Sequence, residues 1–249
     1  MRKVSVSIVS HQNADEILPL LMYLIGIEEI EEVIVVSNIP ETFKLDLFSG
    51  TEKLRFFTNK VIKGFGANHN FAFRESKADF FCILNPDVSL DSNIFQELIE
   101  NLNKPSVGLV GPKLVGAAGE PADSARNFLT LSALFGRLFL REKIIADYQG
   151  PLVAREVDWI SGAFMLFRSD VFRKLNGFDE RYFMYVEDMD LCSRMRELGW
   201  KVMYVPKVLA RHFAKRKSRT DLHHFLWHCN SLLRYIAKHP LRFLGLLRR

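Results

Sequence analysis

The sequence predicts an α/β fold: a mostly parallel central sheet flanked by helices, followed by an amphipathic helical tail. Three observations carry this. Short apolar runs recur along the chain, and each is followed by a plausible helix. Each run ends in polar residues. Finally, 249 residues with 48% hydrophobic content can bury one large core, and nothing in the chain marks a second independent one.

The first run, Val4–Ser10, ends at His11, Gln12 and Asn13. The second, residues 32–36, ends at Ser37 and Asn38; the third, Leu54–Thr58, leads into Asn59 and a loop holding Lys63, Gly64, Phe65, Gly66, Ala67 and Asn68. Strands that alternate with helices gather such ends on one edge, where open α/β sheets bind ligands. Gly64 and Gly66 let backbone approach a ligand closely or simply form a flexible connection; they match neither a P-loop nor a complete dinucleotide fingerprint. Phe80–Leu84 reads as a buried strand running into Asn85, Pro86 and Asp87, after which Ser92 can cap a helix over 94–102. A carboxylate at that strand end can hold a divalent cation bridging phosphate oxygens, and Asn-Pro-Asp is also a turn sequence.

Residues 128–140 are strongly apolar but contain Gly136 and Arg137 and are too short to span a bilayer. They read as a packed helix, or as an apolar element that, with Arg126, Arg137, Arg141 and Lys143, receives a lipid diphosphate. The densest chemistry follows at 182–194, where Tyr182, Phe183, Met184 and Tyr185 precede Glu187, Asp188 and Asp190. Leu191, Met195 and Leu198 recur at helical spacing, Gly199 can end the helix, and Asp190 to Arg194 is a favourable i,i+4 pair, so the acids fall in the first turn. Asp188 as an N-cap, with its neighbours complementing the helix dipole, accounts for one or two acids; three beside four large side chains also suit a catalytic set.

Leu222, Phe225, Leu226, Cys229, Leu232, Leu233 and Ile236 outline an amphipathic helix broken near Pro240, whose stripe packs on the core or lies on a membrane. The segment 241–247 has no obvious core to join. A formal charge of +5 and a pI of about 9.1 call for an anionic partner or surface. Lys215, Arg216, Lys217 and Arg219 form one cluster, and Arg242, Arg248 and Arg249 close the chain. These cations interleave with leucines rather than with a stacking platform, which argues against nucleic acid. We divide the chain at 1–214, a catalytic domain, and 215–249, a basic amphipathic tail suited to a membrane surface. Cys82, Cys192 and Cys229 form no metal pattern and leave an odd count, and no signal peptide precedes the first strand, which together point to a reduced, cytosolic setting.

In order, His11-Gln12-Asn13, the 63–70 loop, Asn85-Pro86-Asp87, Trp159-Ile160-Ser161-Gly162-Ala163, Gly177-Phe178-Asp179-Glu180 and Glu187-Asp188-Met189-Asp190-Leu191 resemble family-2 glycosyltransferases of the GT-A fold. The likeness is greatest to the bacterial rhamnosyltransferase branch and runs over residues 4–235. It implies a Rossmann-like GT-A sheet and an inverting transfer from a nucleotide diphosphate sugar, dTDP or UDP linked, with dTDP-rhamnose as the donor of that branch. The acceptor it implies is a lipid-linked saccharide in bacterial surface polysaccharide synthesis (O-antigen, capsule or cell wall), used by a protein peripheral on the inner face of the plasma membrane. Asp188 matches the catalytic base, with Glu187 and Asp190 orienting the acceptor or raising the pKa of the base. His11, Asn13, Asn38, Lys63, Gly64, Asn68, Asn85 and Asp87 match nucleotide-sugar positions, and Trp159, Gly162 and Glu187 match acceptor positions. Asp87 and His212 match a site for a divalent cation, Mn or Mg. Two departures stand out: Asn85 offers a neutral oxygen where many members carry a second acid, and Ser37-Asn38 replaces a common Asp-Asn. They leave room for a catalytically silent nucleotide-sugar or glycan-binding partner. A nucleotidyltransferase would share the nucleotide cleft but needs no such acid set.

Overall fold

The computed structural model describes residues 2–139, 151–213 and 221–247, of which 137–139 by backbone alone. The chain runs β1 (Val4–Ser10), α1 (Leu18–Ile25), β2 (Ile30–Ser37), β3 (Leu54–Thr58), α2 (Phe65–Glu75), β4 (Phe80–Leu84), β5 (Val88–Ser89), α3 (Phe95–Leu102), β6 (Val107–Val115), β7 (Ala125–Arg126) and α4 (Leu131–Phe139). It continues through β8 (Arg155–Glu156), β9 (Trp159–Ile160), β10 (Phe164–Arg168), α5 (Ser169–Lys174), α6 (Glu187–Glu197), β11 (Lys201–His212), α7 (Leu222–Lys238) and α8 (Pro240–Phe243).

The main sheet has the order β3-β2-β1-β4-β10-β6-β11-β5, with β8 beside β11, and β7 and β9 form a separate pair. The first four strands are parallel; β10 is antiparallel to both β4 and β6, and β6 and β11 are parallel again. Apolar runs without polar interruption are what strands covered on both faces require. In β4, Phe80, Cys82 and Leu84 enter the core shared with α1 and α3, while Phe81 and Ile83 enter the core shared with α2, α5 and α6. Two serines of β1 are buried with partners: Ser5 Oγ donates to Glu32 Oε1 at 2.6 Å, and Ser7 Oγ is hydrogen-bonded to His69 Nδ1 at 2.7 Å. Burial lowers the His69 pKa to about 3, so this core histidine is neutral. Because β2 and β4 flank β1 on opposite sides, the crossovers diverge there and open a crevice at the carboxyl ends.

The structure departs from the sequence expectations at several elements. After β2 no α-helix forms; Asn38 leads into an irregular stretch with one 3₁₀ turn at Leu45–Phe48. Asn93 rather than Ser92 serves α3, its Oδ1 accepting the Phe95 N–H at 3.0 Å, so the helix starts one residue later. Val186, in the left-handed region, precedes α6, which places Asp188 inside the first turn rather than at the cap. Gly199 follows that helix at φ +79°, but Leu198 is 56% exposed, so of the expected stripe Leu191 and Met195 enter the core, beside Met189 and Cys192.

The tail differs most. Leu222, Phe225, Leu226 and Leu233 of α7 face solvent, and its packed face instead carries the buried Ser231 and Tyr235, with Leu232 and Ile236 at the margin of the core. Beyond Pro240 the chain does join the core: Phe243 is buried, and Arg242 stacks over Phe128 at 4.4 Å and pairs with Glu197 at 3.5 Å. The expected cations Arg141, Lys143, Lys215, Arg216, Lys217, Arg219, Arg248 and Arg249, and the Arg137 side chain, lie outside the described residues. Among the described residues no helix is long and apolar enough to cross a membrane.

Candidate active site

A cleft of about 640 Å³ opens at this edge, and the segment 159–163 crosses it. At one end Trp159 of β9 pairs with Arg126 of β7. In the middle the Gly162 N–H donates to Asp188 Oδ2 at 2.9 Å, and at the other end the Ala163 carbonyl accepts the Asn85 N–H at 3.0 Å. One short stretch of backbone therefore ties the acid pair at the start of α6 to the loop after β4. Gly162 allows this approach, since an added Cβ would stand 3.2 Å from the Phe65 ring and 3.7 Å from the Asp188 carboxylate.

Asp188 is partly exposed to the cleft. Burial raises its pKa, while N–H donation from Gly162 and Met189 and the positive charge of Arg126 oppose the rise. Glu187 beside it is buried, has one carboxylate oxygen with no hydrogen-bond partner, and is pushed well above the usual carboxylate range by burial and then by the Asp188 charge. The two carboxyls therefore differ in kind: burial and its neighbour's charge disfavour an anion at Glu187, whereas the N–H bonds from Gly162 and Met189 favour one at Asp188. Immediately upstream, Tyr185 and Val186 sit at φ +71° and +69°. Two consecutive left-handed residues, one β-branched, cost roughly 1–3 kcal/mol each and persist only where the surroundings hold them.

Asp87 and His212 are brought together by antiparallel pairing of β5 with β11, in which His212 faces Val88. His212 Nε2 lies 3.3 Å from Asp87 Oδ1, yet that buried oxygen has no hydrogen-bond partner. A carboxylate oxygen lacking a donor, next to an imidazole nitrogen, is a fitting pair of ligands for a hard or borderline divalent cation. Among the described residues no group of three or more His, Cys, Asp and Glu side chains converges, so further ligands would come from a diphosphate or from water.

The remaining expected residues divide. Asn85, Trp159, Gly162, Glu187, Asp188 and His212 line the cleft together. His11 and Asn13 stand at the carboxyl end of β1 outside its lining; His11 is exposed, and Asn13 bonds Glu16 at 2.8 Å. Asn38 and Asn68 are buried in a network that holds the loop: Asn38 Oδ1 accepts from Lys63 N, Asn59 Nδ2 and Asn68 Nδ2 at 2.9–3.2 Å, and Asn68 Nδ2 also donates to the Gly64 carbonyl at 3.0 Å. Gly64 packs against the backbone of Phe183, where a Cβ would stand 2.5 Å from its carbonyl oxygen, so its glycine serves backbone packing. Asp190 is a clear correction. It is fully buried away from the cleft, bonded to Arg194, Lys238 and His239 at 2.8–2.9 Å. Burial works to raise its pKa, but these donors hold it below the ordinary value. It fastens helices and cannot orient an acceptor.

The sequence reading missed the contribution of α7. His228 and Leu232 line the cleft, His224 Nδ1 is hydrogen-bonded to the Tyr185 hydroxyl at 2.7 Å, and Ser231 Oγ donates to the Met184 carbonyl at 2.8 Å. Histidines at 224 and 228 share one helical face, and that spacing, set opposite the apolar stripe, was the available signal.

The sequence profile of the family described as Glycosyltransferase like family 2 matches residues 4–227. The chain is 30% identical over 253 residues to rhamnosyltransferase WbbL of Escherichia coli (strain K12), covering 94% of this chain and 93% of that protein. It is 31% identical over 169 residues to N-acetylglucosaminyl-diphospho-decaprenol L-rhamnosyltransferase of Mycobacterium tuberculosis (strain ATCC 25618 / H37Rv), covering 64% of this chain and 55% of that one. Among solved structures, GalNAc-T7 with UDP, GalNAc and Mn2+ superposes with a TM-score of 0.73 at 14% identity, over 95% of this chain and 48% of that one, a likeness of fold.

Proposed function

The chain belongs to glycosyltransferase family 2 and is a glycosyltransferase of the GT-A fold; from that premise we propose an inverting transfer in which Asp188 takes the proton of the acceptor hydroxyl. The observation that carries this is the Asp188 carboxylate itself, open to the cleft and held by the Gly162 N–H at 2.9 Å, with Asn85 and His212 lining the same cleft. As the acceptor oxygen attacks the anomeric carbon, its proton passes to Asp188, the bond to the diphosphate breaks with its electron pair, and the nucleoside diphosphate leaves; attack opposite the leaving group inverts the centre. Glu187, where burial disfavours the anion, leaves the anionic role to its neighbour and contacts the acceptor with Trp159. Asp87 and His212 would hold Mn or Mg, whose charge offsets that of the leaving diphosphate. Asn85, Lys63, His11 and Asn13 would meet the donor, a dTDP or UDP sugar.

The finer reading is rhamnose from dTDP-rhamnose, passed to a lipid-linked saccharide during assembly of a bacterial surface polysaccharide at the inner face of the plasma membrane. Two relatives carry rhamnosyltransferase in their names, and one of those names specifies a diphospho-decaprenol. The exposed apolar stripe of α7 supports a membrane location. The test is thermal stabilisation by dTDP-, UDP- and GDP-sugars with Mn or Mg, followed by nucleoside diphosphate release in the presence of membrane lipid extract. Selective stabilisation by dTDP-rhamnose with acceptor-dependent release is expected. Stabilisation without release across acceptor extracts would favour a binding-only protein, and no stabilisation by any donor would sink the transferase assignment.

A further inference from the structure

Away from the acid cleft, a second cavity of about 630 Å³ lies among the carboxyl-terminal halves of α2, α5 and α7 and the loop after α5. It shares no lining residue with the first. Four cations and two carboxylates line it, but they are not equally free. Asp179 is taken up by Arg181 and Lys238, and Arg194 by Asp190 and the Leu175 and Gly177 carbonyls. Arg74 and Arg173 are exposed and pair with no carboxylate among the described residues; Arg173 only stacks 5.5 Å from the Phe73 ring.

Ser76 lines the same cavity, and its hydroxyl oxygen is buried without a hydrogen-bond partner. Buried polar atoms are nearly always satisfied, so an orphan beside two uncommitted guanidinium groups points to a bound oxyanion. Arginine suits phosphate because its planar fork reaches two oxygens by charge-assisted bonds. The remaining carboxylate, Glu180, accepts from Asn70 Nδ2 at 3.0 Å through one oxygen, which leaves the other for a hydroxyl donor. Asn176 adds an exposed amide to the rim. The aromatic rings of the wall are engaged with one another rather than presented for stacking: Phe73 packs on Phe81 and Phe172 at 5.1 and 4.7 Å, and Phe172 and Phe178 are buried. A phosphate with hydroxyls therefore fits this cavity better than a planar base does.

We propose that the cavity is a second ligand site, for a sugar phosphate, with the phosphate held by Arg74 and Arg173 and the sugar hydroxyls meeting Glu180 and Asn176. Its volume is in the range of small-metabolite sites. The ligand is neither the donor nor the acceptor of the acid cleft, and the site stands independently of the transferase reading.

The experiment is calorimetry on the full chain with glucose 1-phosphate as the probe, and with glucose, inorganic phosphate and AMP as comparators. Titrations are run in EDTA and again with saturating UDP and Mn2+, which address the acid cleft. Glucose 1-phosphate is expected to bind in both conditions and more tightly than every comparator. Arg74→Ala and Arg173→Ala should each weaken it about 10-fold or more, the size of a lost charge-assisted contact, and Arg173→Lys should weaken it less. Both arginines are exposed, so the melting temperature should hold; Arg74→Gln and Arg173→Gln repeat the test where an alanine variant melts early. No binding of the probe, unchanged binding in either alanine variant, equal binding of glucose, or displacement by UDP with Mn2+ would each overturn the site. Inorganic phosphate binding as tightly as the ester would leave an anion site without sugar recognition and overturn the ligand class, as would tighter binding of AMP, which would assign the cavity to a nucleotide. Failure of UDP to stabilise the chain would count against the transferase alone, because the arginine dependence measured in EDTA still decides this site.

Discussion

Glu187 and Asp188 are adjacent in the chain and alike in chemistry, yet their surroundings separate them. Asp188 accepts N–H bonds from Gly162 and Met189, whereas Glu187 keeps a buried oxygen without a donor. Asp188→Asn preserves size and both N–H contacts in part but cannot take a proton. Transfer should fall about 10²- to 10⁴-fold with donor-induced stabilisation retained, and unchanged turnover would sink its role as base. Glu187 makes a prediction of opposite kind. Its folded pKa is raised, so the unfolded chain loses its proton first, and the resulting loss of stability develops as pH rises above the ordinary value of 4.5. Glu187→Gln should therefore raise the melting temperature at pH 7 and leave it nearly unchanged at pH 4. Equal shifts at both pH values would mean that packing, not ionisation, is what changed.

At the scale of elements, α7 grips the turn that delivers the acids. Trp227 lies 4.8 Å from the Phe183 ring, Ser231 bonds the Met184 carbonyl, and Tyr185 bonds His224, so consecutive residues of the strained turn are each held by one helix. Asp190 fastens that helix to α6 through Lys238 and His239. Asp190→Asn removes the fully buried carboxylate that the partly buried Arg194 and Lys238 share and should cost about 3–5 kcal/mol in urea unfolding at pH 7. The sign of its pH dependence is fixed: its folded pKa is depressed, so its stabilisation is present above the unfolded value near 3.8 and is lost as pH falls through the folded one. The difference from wild type should accordingly shrink in acid, and a constant difference would contradict the ion-pair account. Sequence patterns revealed α6, its three acids and its Gly199 terminus, because each is a local signal. They could not separate Asp190 from Asp188. That distinction depends on which helix face meets α7, a contact between residues about fifty positions apart. Likewise the strands were legible as apolar runs, whereas the reversal of β10 and the role of Gly64 depend on distant neighbours, Phe81 and Phe183 among them.

For the whole molecule, α7 and α8 of the tail pack on the body of the chain. Ser193 bonds Tyr235 at 2.9 Å, Phe243 is buried, and His228 and Leu232 complete the cleft wall. What α7 leaves to solvent is the apolar stripe that a core-packed helix would hide: Leu222 and Leu233 are 68% and 67% exposed, and Phe225 and Leu226 54% each. Such a stripe, on a helix whose other face lines the cleft, would hold the acceptor side of the cleft against a lipid surface. A chain of formal charge +5 adds attraction to anionic headgroups. The protein should float with anionic vesicles and much less with neutral ones, and added salt should weaken the attachment as charges are screened. Replacing Leu222, Phe225, Leu226 and Leu233 together by Ser removes area that already faces water in the free protein, so the melting temperature should change little while flotation is lost. A variant that still floats would place the contact elsewhere on the molecule, and a wild-type protein that never floats would end the membrane reading without touching the chemistry at Asp188.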